Sequence, residues 1–114
     1  MIKVVHYVAE DGTDYFDRWL QRQGTEVRSR ILTRIDRVEL GNFGDHKGVG
    51  KGVSELRIDF GPGYRVYYGL DSMNLVILLT GGTKRRQRRD IHKAQACWKA
   101  YREEERHARK RTQN

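Results

Sequence analysis

The chain has 114 residues, 37% hydrophobic and 33% charged, so it can bury one small core, and we expect a single domain. Its 23 lysines and arginines outnumber its 15 aspartates and glutamates, and the resulting net charge of +8 favours a polyanionic partner. The single cysteine, Cys97, excludes an internal disulfide framework and is typical of a reducing compartment, so we expect a cytoplasmic protein. The apolar run 75–79 is too short to cross a membrane and the polar start is unlike a signal peptide, so we expect neither membrane insertion nor export.

The first forty residues predict one strand and two helices. The β-rich run 4–8 predicts the strand, and Asp11 or Thr13 could cap the helix that follows it. That helix should stop at Gly24, and Thr25 offers the cap of the next helix. The second helix has a single apolar stripe made by Val27, Ile31, Ile35 and Val38. We expect the two helices to form a hairpin that covers a sheet.

A glycine-rich stretch, residues 41–52, follows the helices. It has five glycines in twelve positions and neither a helical nor a strand period, so we expect an exposed, mobile loop. The loop carries His46, Lys47 and Lys51. Glycines let a backbone approach a phosphate closely while cations attract it, although a plain connector is an equally good interpretation.

Two segments with alternating polar and apolar side chains, 55–60 and 64–68, predict antiparallel strands. Their apolar faces should pack on the helices, which leaves Arg57 and Arg65 together on the polar face. A three-residue turn between the strands would make two cross-strand pairs: Asp59 with Arg65, and Arg57 with Tyr67.

The last third of the chain predicts a buried strand and a long helix. The strand covers 75–79 and is broken at 81–83, and the helix begins near Lys84. One face of this helix carries Ile91, Ala94, Trp98 and Tyr101. We expect the domain to span 1–105 and the basic residues 106–114 to be disordered. The predicted α+β fold is a small, mainly antiparallel sheet with an N-terminal helical hairpin and a C-terminal helix, in the order β-α-α-β-β-β-α.

The excess positive charge lies in the second half of the chain. Residues 1–50 hold eight basic and eight acidic side chains, whereas residues 51–114 hold fifteen basic and seven acidic ones. Such asymmetry is typical of nucleic-acid binding, although a basic run can also be a solvated helix face. The candidate nucleic-acid-binding residues are Lys47, Lys51, Arg85, Arg86, Arg88 and Arg89.

Three motifs give the chain a family resemblance. They are the strand ELR (55–57), the strand GYRVY (63–67) and the turn GGxKxxQxxDI (81–91). Together with the element order over about 10–101, they resemble the RelE/ParE superfamily of type II toxins. The similarity is greatest to its HigB-like branch of addiction-module killer proteins, which also occur in phages.

This resemblance implies a toxin encoded beside a helix-turn-helix antitoxin, which neutralises it and binds operator DNA to repress their shared operon. RelE-like and HigB-like toxins are endoribonucleases that cut mRNA on the ribosome and so inhibit translation, without metal or cofactor. Arg65 matches the strand arginine that contacts the scissile phosphate, and Arg57 and Lys84 match further cations of related active sites.

RNA cleavage without a metal needs a base, an acid and stabilisation of the charged transition state. Arg57 and Arg65 suit the last role because guanidinium groups bind phosphate oxygens bidentately, although they could instead only pair with acidic neighbours. For proton transfer the candidates are His46 and Lys84, with Tyr67 or Tyr101 as further options. Two other functions stay open, a ParE-like inhibitor of DNA gyrase and a non-catalytic nucleic-acid-binding module.

Overall fold

The computed structural model describes residues 1–112, which form one five-stranded sheet with helices on both of its faces. The elements in chain order are β1 (Lys3–His6), α1 (Tyr15–Gln21), α2 (Thr25–Glu39), β2 (His46–Gly50), β3 (Val53–Ile58), β4 (Tyr64–Ser72), β5 (Leu75–Thr83), a 3-10 turn (Lys84–Arg86) and α3 (Gln87–Thr112). The strand order is β1-β5-β4-β3-β2; β1 is parallel to β5, and the other neighbours are antiparallel. No helix among the described residues is both long and apolar enough to cross a membrane.

The predicted mixed α+β class and the C-terminal helix are confirmed, but the predicted order is one strand short. The two sheet faces carry separate cores. Helices α1 and α2 cover one face, where Trp19, Ile35 and Leu56 are buried, and α3 covers the other, where Tyr67 and Trp98 are buried. The predicted helical hairpin is corrected, because α1 packs mainly on β5 and α2 mainly on β1 and β3.

The missing strand is β2, which replaces part of the predicted mobile loop. Residues 46–50 pair with β3, and left-handed φ angles at Gly50 and Gly52 allow the tight turn between the strands. Arg34 anchors the approach to β2, since its guanidinium donates to the carbonyl oxygens of Phe43 at 2.9 Å and Asp45 at 3.2 Å. Glycine content therefore signals turns here without excluding a strand between them.

The register of the β3–β4 hairpin differs from the prediction by two residues. Arg57 lies opposite Arg65, and Glu55 lies opposite Tyr67. The turn is longer than three residues because Gly63, with a φ of 84°, donates from its backbone N–H to the Phe60 carbonyl at 3.0 Å. A shift of two residues keeps every side chain on its predicted face, so the polar and apolar faces are as expected.

Strand β5 continues through the glycines that were expected to end it. Gly81 and Gly82 pair with β4, and both are buried. A Cβ atom at Gly81 would collide with the Trp19 ring, and one at Gly82 would collide with the Asp90 carboxylate. The glycines therefore let α1 and α3 approach the strand closely, rather than breaking it.

Two helix ends also differ from the prediction. Asp14, rather than Asp11 or Thr13, caps α1, since its side chain accepts from the Asp17 backbone N–H at 2.9 Å. Helix α3 continues to Thr112, so residues 106–112, expected to be disordered, are helical. Glu, Arg, Ala and Lys favour helices, and basic residues in the last turn suit the helix dipole. Residues 113–114 of the predicted tail lie outside the described residues.

Candidate active site

Three of the four predicted catalytic residues line one cleft at the end of the β3–β4 hairpin. The cleft has a volume of about 310 Å³ and lies between the hairpin turn and the 3-10 turn that precedes α3. Its lining residues are Asp45, Arg57, Asp59, Gly61, Pro62, Gly63, Arg65 and Lys84. The arrangement brings Arg57, Arg65 and Lys84 around one small space, which suits an oxyanion.

A buried carboxylate holds the two arginines. The Glu55 side chain is 0% exposed, and its oxygens lie 3.3 Å from Arg57 Nε and 3.5 Å from Arg65 Nε. The Arg57 contact is a hydrogen bond, whereas the Arg65 contact is an ion pair without hydrogen-bond geometry. Arg65 is also fixed by donation from Nη1 to the Tyr64 carbonyl at 3.0 Å. The two guanidinium groups are therefore positioned from behind the cleft.

Helix α3 contributes to the same cluster through Gln87. Its side-chain amide donates to both carboxylate oxygens of Glu55, at 3.0 Å each. Gln87 is the first residue of α3, so these contacts tie the start of the helix to β3. This link between α3 and β3 fixes the carboxylate on which both arginines depend.

Lys84 reaches the cleft because the backbone brings the 3-10 turn against the hairpin. Its backbone N–H donates to the Gly63 carbonyl at 3.0 Å. The left-handed φ of Gly63 favours glycine, and the Lys84 side chain lies directly over this residue. The Lys84 side chain is exposed, which leaves its ammonium group free to meet a ligand in the cleft.

The structure does not bring His46 into this cleft. His46 lies opposite Leu56, whose side chain is in the core beneath α2, so the imidazole is on the opposite face of the sheet from the arginines. Its Nδ1 lies 2.8 Å from the Gly44 carbonyl oxygen, and its ring centroid lies 5.7 Å from that of Phe43. His46 therefore contacts its own loop rather than the cleft.

The predicted RNA-binding lysines lie outside the cleft. Lys47 is exposed and lies opposite Glu55, so it shares the face of the arginines without lining their cleft. Lys51 lies in the β2–β3 turn with a φ of 55° and lines a groove against α3. The basic residues Arg85, Arg86, Arg88 and Arg89 form a separate surface with His92 around the start of α3.

Tyr67 does not line the cleft, since its side chain is fully buried beneath α3. Burial, with Glu55 and Asp90 nearby, raises the pKa of its hydroxyl. Among the described residues its hydroxyl has no hydrogen-bond partner. Tyr101 belongs to α3 and also lies outside the cleft: its ring stacks on that of Trp98, and its hydroxyl donates to Asp71 of β4.

Sequence reasoning missed Glu55 and Gln87 as parts of the site. In the sequence, Glu55 lies two residues before Arg57 and is expected to be its ion-pair partner at the surface. Its burial depends on α3, which covers this end of β3. The motif that contains Gln87 signals it, but only the fold shows that its amide reaches Glu55. Within residues 1–112, no group of three or more His, Cys, Asp or Glu side chains is arranged to hold a metal ion.

Two comparisons relate the chain to known proteins. Residues 18–113 match the family described as phage derived protein Gp49-like (DUF891). An uncharacterized protein of Haemophilus influenzae (strain ATCC 51907 / DSM 11121 / KW20 / Rd) is 49% identical over 80 residues, which cover 69% of this chain and 81% of that protein. The chain therefore belongs to the Gp49-like family of phage-derived proteins, a RelE-like family associated with toxin–antitoxin modules.

Proposed function

We propose that this protein is the HigB-like toxin of a type II toxin–antitoxin system and cuts translated mRNA on the ribosome, in the cytoplasm. A cognate helix-turn-helix antitoxin would neutralise it, with an acidic segment suited to the basic surface. The observation that carries the proposal is the cleft in which Arg57, Arg65 and Lys84 converge. It combines three cations with a size that admits a phosphate and its ribose.

In the proposed reaction the 2′-hydroxyl of the message attacks the adjacent phosphate and the 5′-oxygen leaves. Negative charge grows on the phosphate oxygens, and Arg65 and Arg57 would stabilise it by charge-assisted hydrogen bonds. Strands β3 and β4 hold these groups more rigidly than loops would. The Glu55 carboxylate fixes the guanidinium groups before substrate arrives, so little reorganisation is needed during the reaction.

Proton transfer is the part of the reaction for which this cleft is least equipped. Its described lining contains no histidine, and its titratable groups besides the arginines are Lys84 and the carboxylates of Asp45 and Asp59. Holding the message in line for attack can contribute about 7 to 11 kcal/mol, and the ribosome is the proposed source of that orientation. Protein-free RNA should therefore be cut far more slowly than a translated message.

The first test is to express the chain alone in bacteria and map message 5′ ends by primer extension. A translated reporter is compared with one whose start codon is destroyed. We expect growth arrest and cuts only in the translated message. Cuts in both messages would contradict the ribosome requirement, and arrest without cuts would favour a gyrase inhibitor.

Arg65→Lys is the variant that tests the cleft itself. Lysine keeps the charge near Glu55 but loses the planar, bidentate donor, so we expect cleavage to fall by about 100-fold. The control is Arg37→Ala, which changes an exposed arginine on α2 away from the cleft. Equal cleavage by Arg65→Lys and the unchanged protein would remove Arg65 from the proposed site.

A further inference from the structure

A second, larger cleft lies on the other side of the 3-10 turn. Its volume is about 510 Å³, and it is bounded by α1, the end of β5 and the first turns of α3. The backbone at 80–83 forms part of its lining. Its walls carry five cations, two from α1 or its C-terminal cap and three from α3 or the turn before it: Arg18, Arg22, Arg86, Arg89 and Lys93.

Cations outnumber carboxylates five to one among the described lining residues of this cleft. Of its described lining residues, Asp90 alone carries a carboxylate, and that carboxylate lies against Gly82 with its Oδ2 atom buried. Burial raises the pKa of Asp90, while the charges of Arg86, Lys93 and Arg89 oppose the rise. The five cations thus face a single half-buried carboxylate, which leaves a strong positive potential for an outside anion.

Part of the cleft is already ordered for binding. The Lys93 ammonium lies over the Tyr15 ring at 4.1 Å from its centroid, an interaction between α3 and α1 that fixes one cation. Trp19 is 6% exposed because its ring packs under Gly81. The lining therefore offers charged groups and glycine backbone, and it presents little apolar surface on which a protein partner could anchor.

The second cleft shares two arginines with the basic surface around the start of α3. They are Arg86 and Arg89. Lys84, two residues before Arg86 in the same 3-10 turn, lines the first cleft. A chain of evenly spaced negative charges could therefore follow one basic path from the first cleft around this turn into the second.

We propose that the cleft between α1 and α3 binds the sugar-phosphate backbone of the RNA strand whose scissile phosphate lies in the first cleft. This inference rests on the proposed function, because it extends the path of the same substrate. Arg18 and Arg22 are its distinguishing residues, since Arg18 lies on α1 and Arg22 directly follows it, far in the sequence from the basic run at 84–93. Their contacts are to phosphates, so they add affinity without sequence preference.

The experiment measures binding of a short single-stranded 2′-O-methyl oligoribonucleotide by fluorescence anisotropy over a range of salt concentrations. The methyl group blocks the nucleophile, so the probe cannot be cut. The test variant is Arg18→Ala/Arg22→Ala, and the matched control is Lys3→Ala/Arg37→Ala, which removes two exposed cations outside both clefts. Thermal unfolding of both proteins checks that they are folded.

We expect the test variant to bind on the order of tenfold more weakly than the control. Its slope of log affinity against log salt should be shallower by about 1.4, since each phosphate contact on a single strand contributes about 0.7. Equal affinities and slopes for the two double variants would overturn the proposal. A test variant that bound more weakly at an unchanged slope would also overturn it, because no phosphate contact would have been lost.

The same measurements separate this proposal from the proposed function. Arg65→Lys keeps its charge, so it should cut poorly while keeping the salt slope. If the unchanged protein binds the oligoribonucleotide through Arg18 and Arg22 but never cuts a message, the result contradicts the nuclease function and supports RNA binding in the second cleft. If it cuts translated messages and the Arg18→Ala/Arg22→Ala variant binds and cuts equally well, the cleft fails and the function stands.

Discussion

A single buried carboxylate sets the geometry of the candidate site. Glu55 contacts Arg57, Arg65 and Gln87, three side chains from two strands and a helix. A buried carboxylate is stable only if charged or hydrogen-bonding partners compensate its charge. Removing the Glu55 carboxylate would in turn leave Arg57 and Arg65 without their ion-pair partner. Glu55 would not touch the substrate itself, but it positions the two arginines that would.

Glu55→Gln should lower both stability and cleavage. We expect the free energy of unfolding to fall by about 2 to 3 kcal/mol, less than for a fully enclosed pair because Arg57 is 33% exposed. Urea denaturation measures the stability, and primer extension at a temperature where the variant is folded measures cleavage. The control is Glu26→Gln, whose ion pair with Arg30 is exposed and should have no measurable effect. Full cleavage by folded Glu55→Gln would show that the arginines need no such anchor.

At the scale of elements, β5 determines where the two clefts lie. It pairs with β1 and β4, and its last residues receive α1 on one face and the start of α3 on the other. This close approach depends on Gly81 and Gly82, which leave room for Trp19 and Asp90. The spacing of the helices around the end of β5 therefore follows from two missing side chains.

Gly81→Ala should be destabilising because the added methyl group would collide with the Trp19 ring. An overpacked core position typically costs about 1 to 3 kcal/mol, and displacement of α1 should also disturb the cleft that Arg18 lines. The control is Gly48→Ala on the edge strand β2, where no described atom outside its neighbours lies within 4 Å of the new Cβ. Urea denaturation compares the two, and equal stability of both variants would contradict the close-packing argument.

At the scale of the whole molecule, burial raises the pKa of several tyrosines on both sides of the sheet. The four are Tyr7, Tyr67, Tyr68 and Tyr101. Each is held neutral in the folded protein at a pH where the unfolded chain, with tyrosine pKa values near about 10, already ionises. Their contribution to stability is therefore complete below about pH 10 and is lost as the pH rises through the folded values.

The free energy of unfolding should accordingly fall as the pH rises above about 10. Tyr67→Phe should make this fall shallower, because it removes a buried hydroxyl whose ionisation favours unfolding. At neutral pH the same variant should stay within about 1 kcal/mol of the unchanged protein, since that hydroxyl has no partner among the described residues. Urea denaturation over a pH series tests both statements, and an identical alkaline fall in both proteins would contradict them.

Local patterns in the sequence determined the elements and their faces. The apolar stripe of α2 with Ile31 and Ile35, the alternation in β3 and β4 and the basic run at 84–93 each depend on neighbours in the chain. The motifs likewise indicated that Arg57, Arg65 and Lys84 belong to one site. Such patterns are predictive because the period of a helix or strand determines which side each residue faces, whatever packs against that side.

Only the tertiary structure decided which residues meet. It buried Glu55 under α3, moved His46 to the opposite face through the pairing of β2, and joined Arg18 and Arg22 to cations some seventy residues later. It also turned two glycines that look like a strand end into points of helix contact. These outcomes depend on strand register and on close approach between distant segments, for which a single sequence carries no local signal.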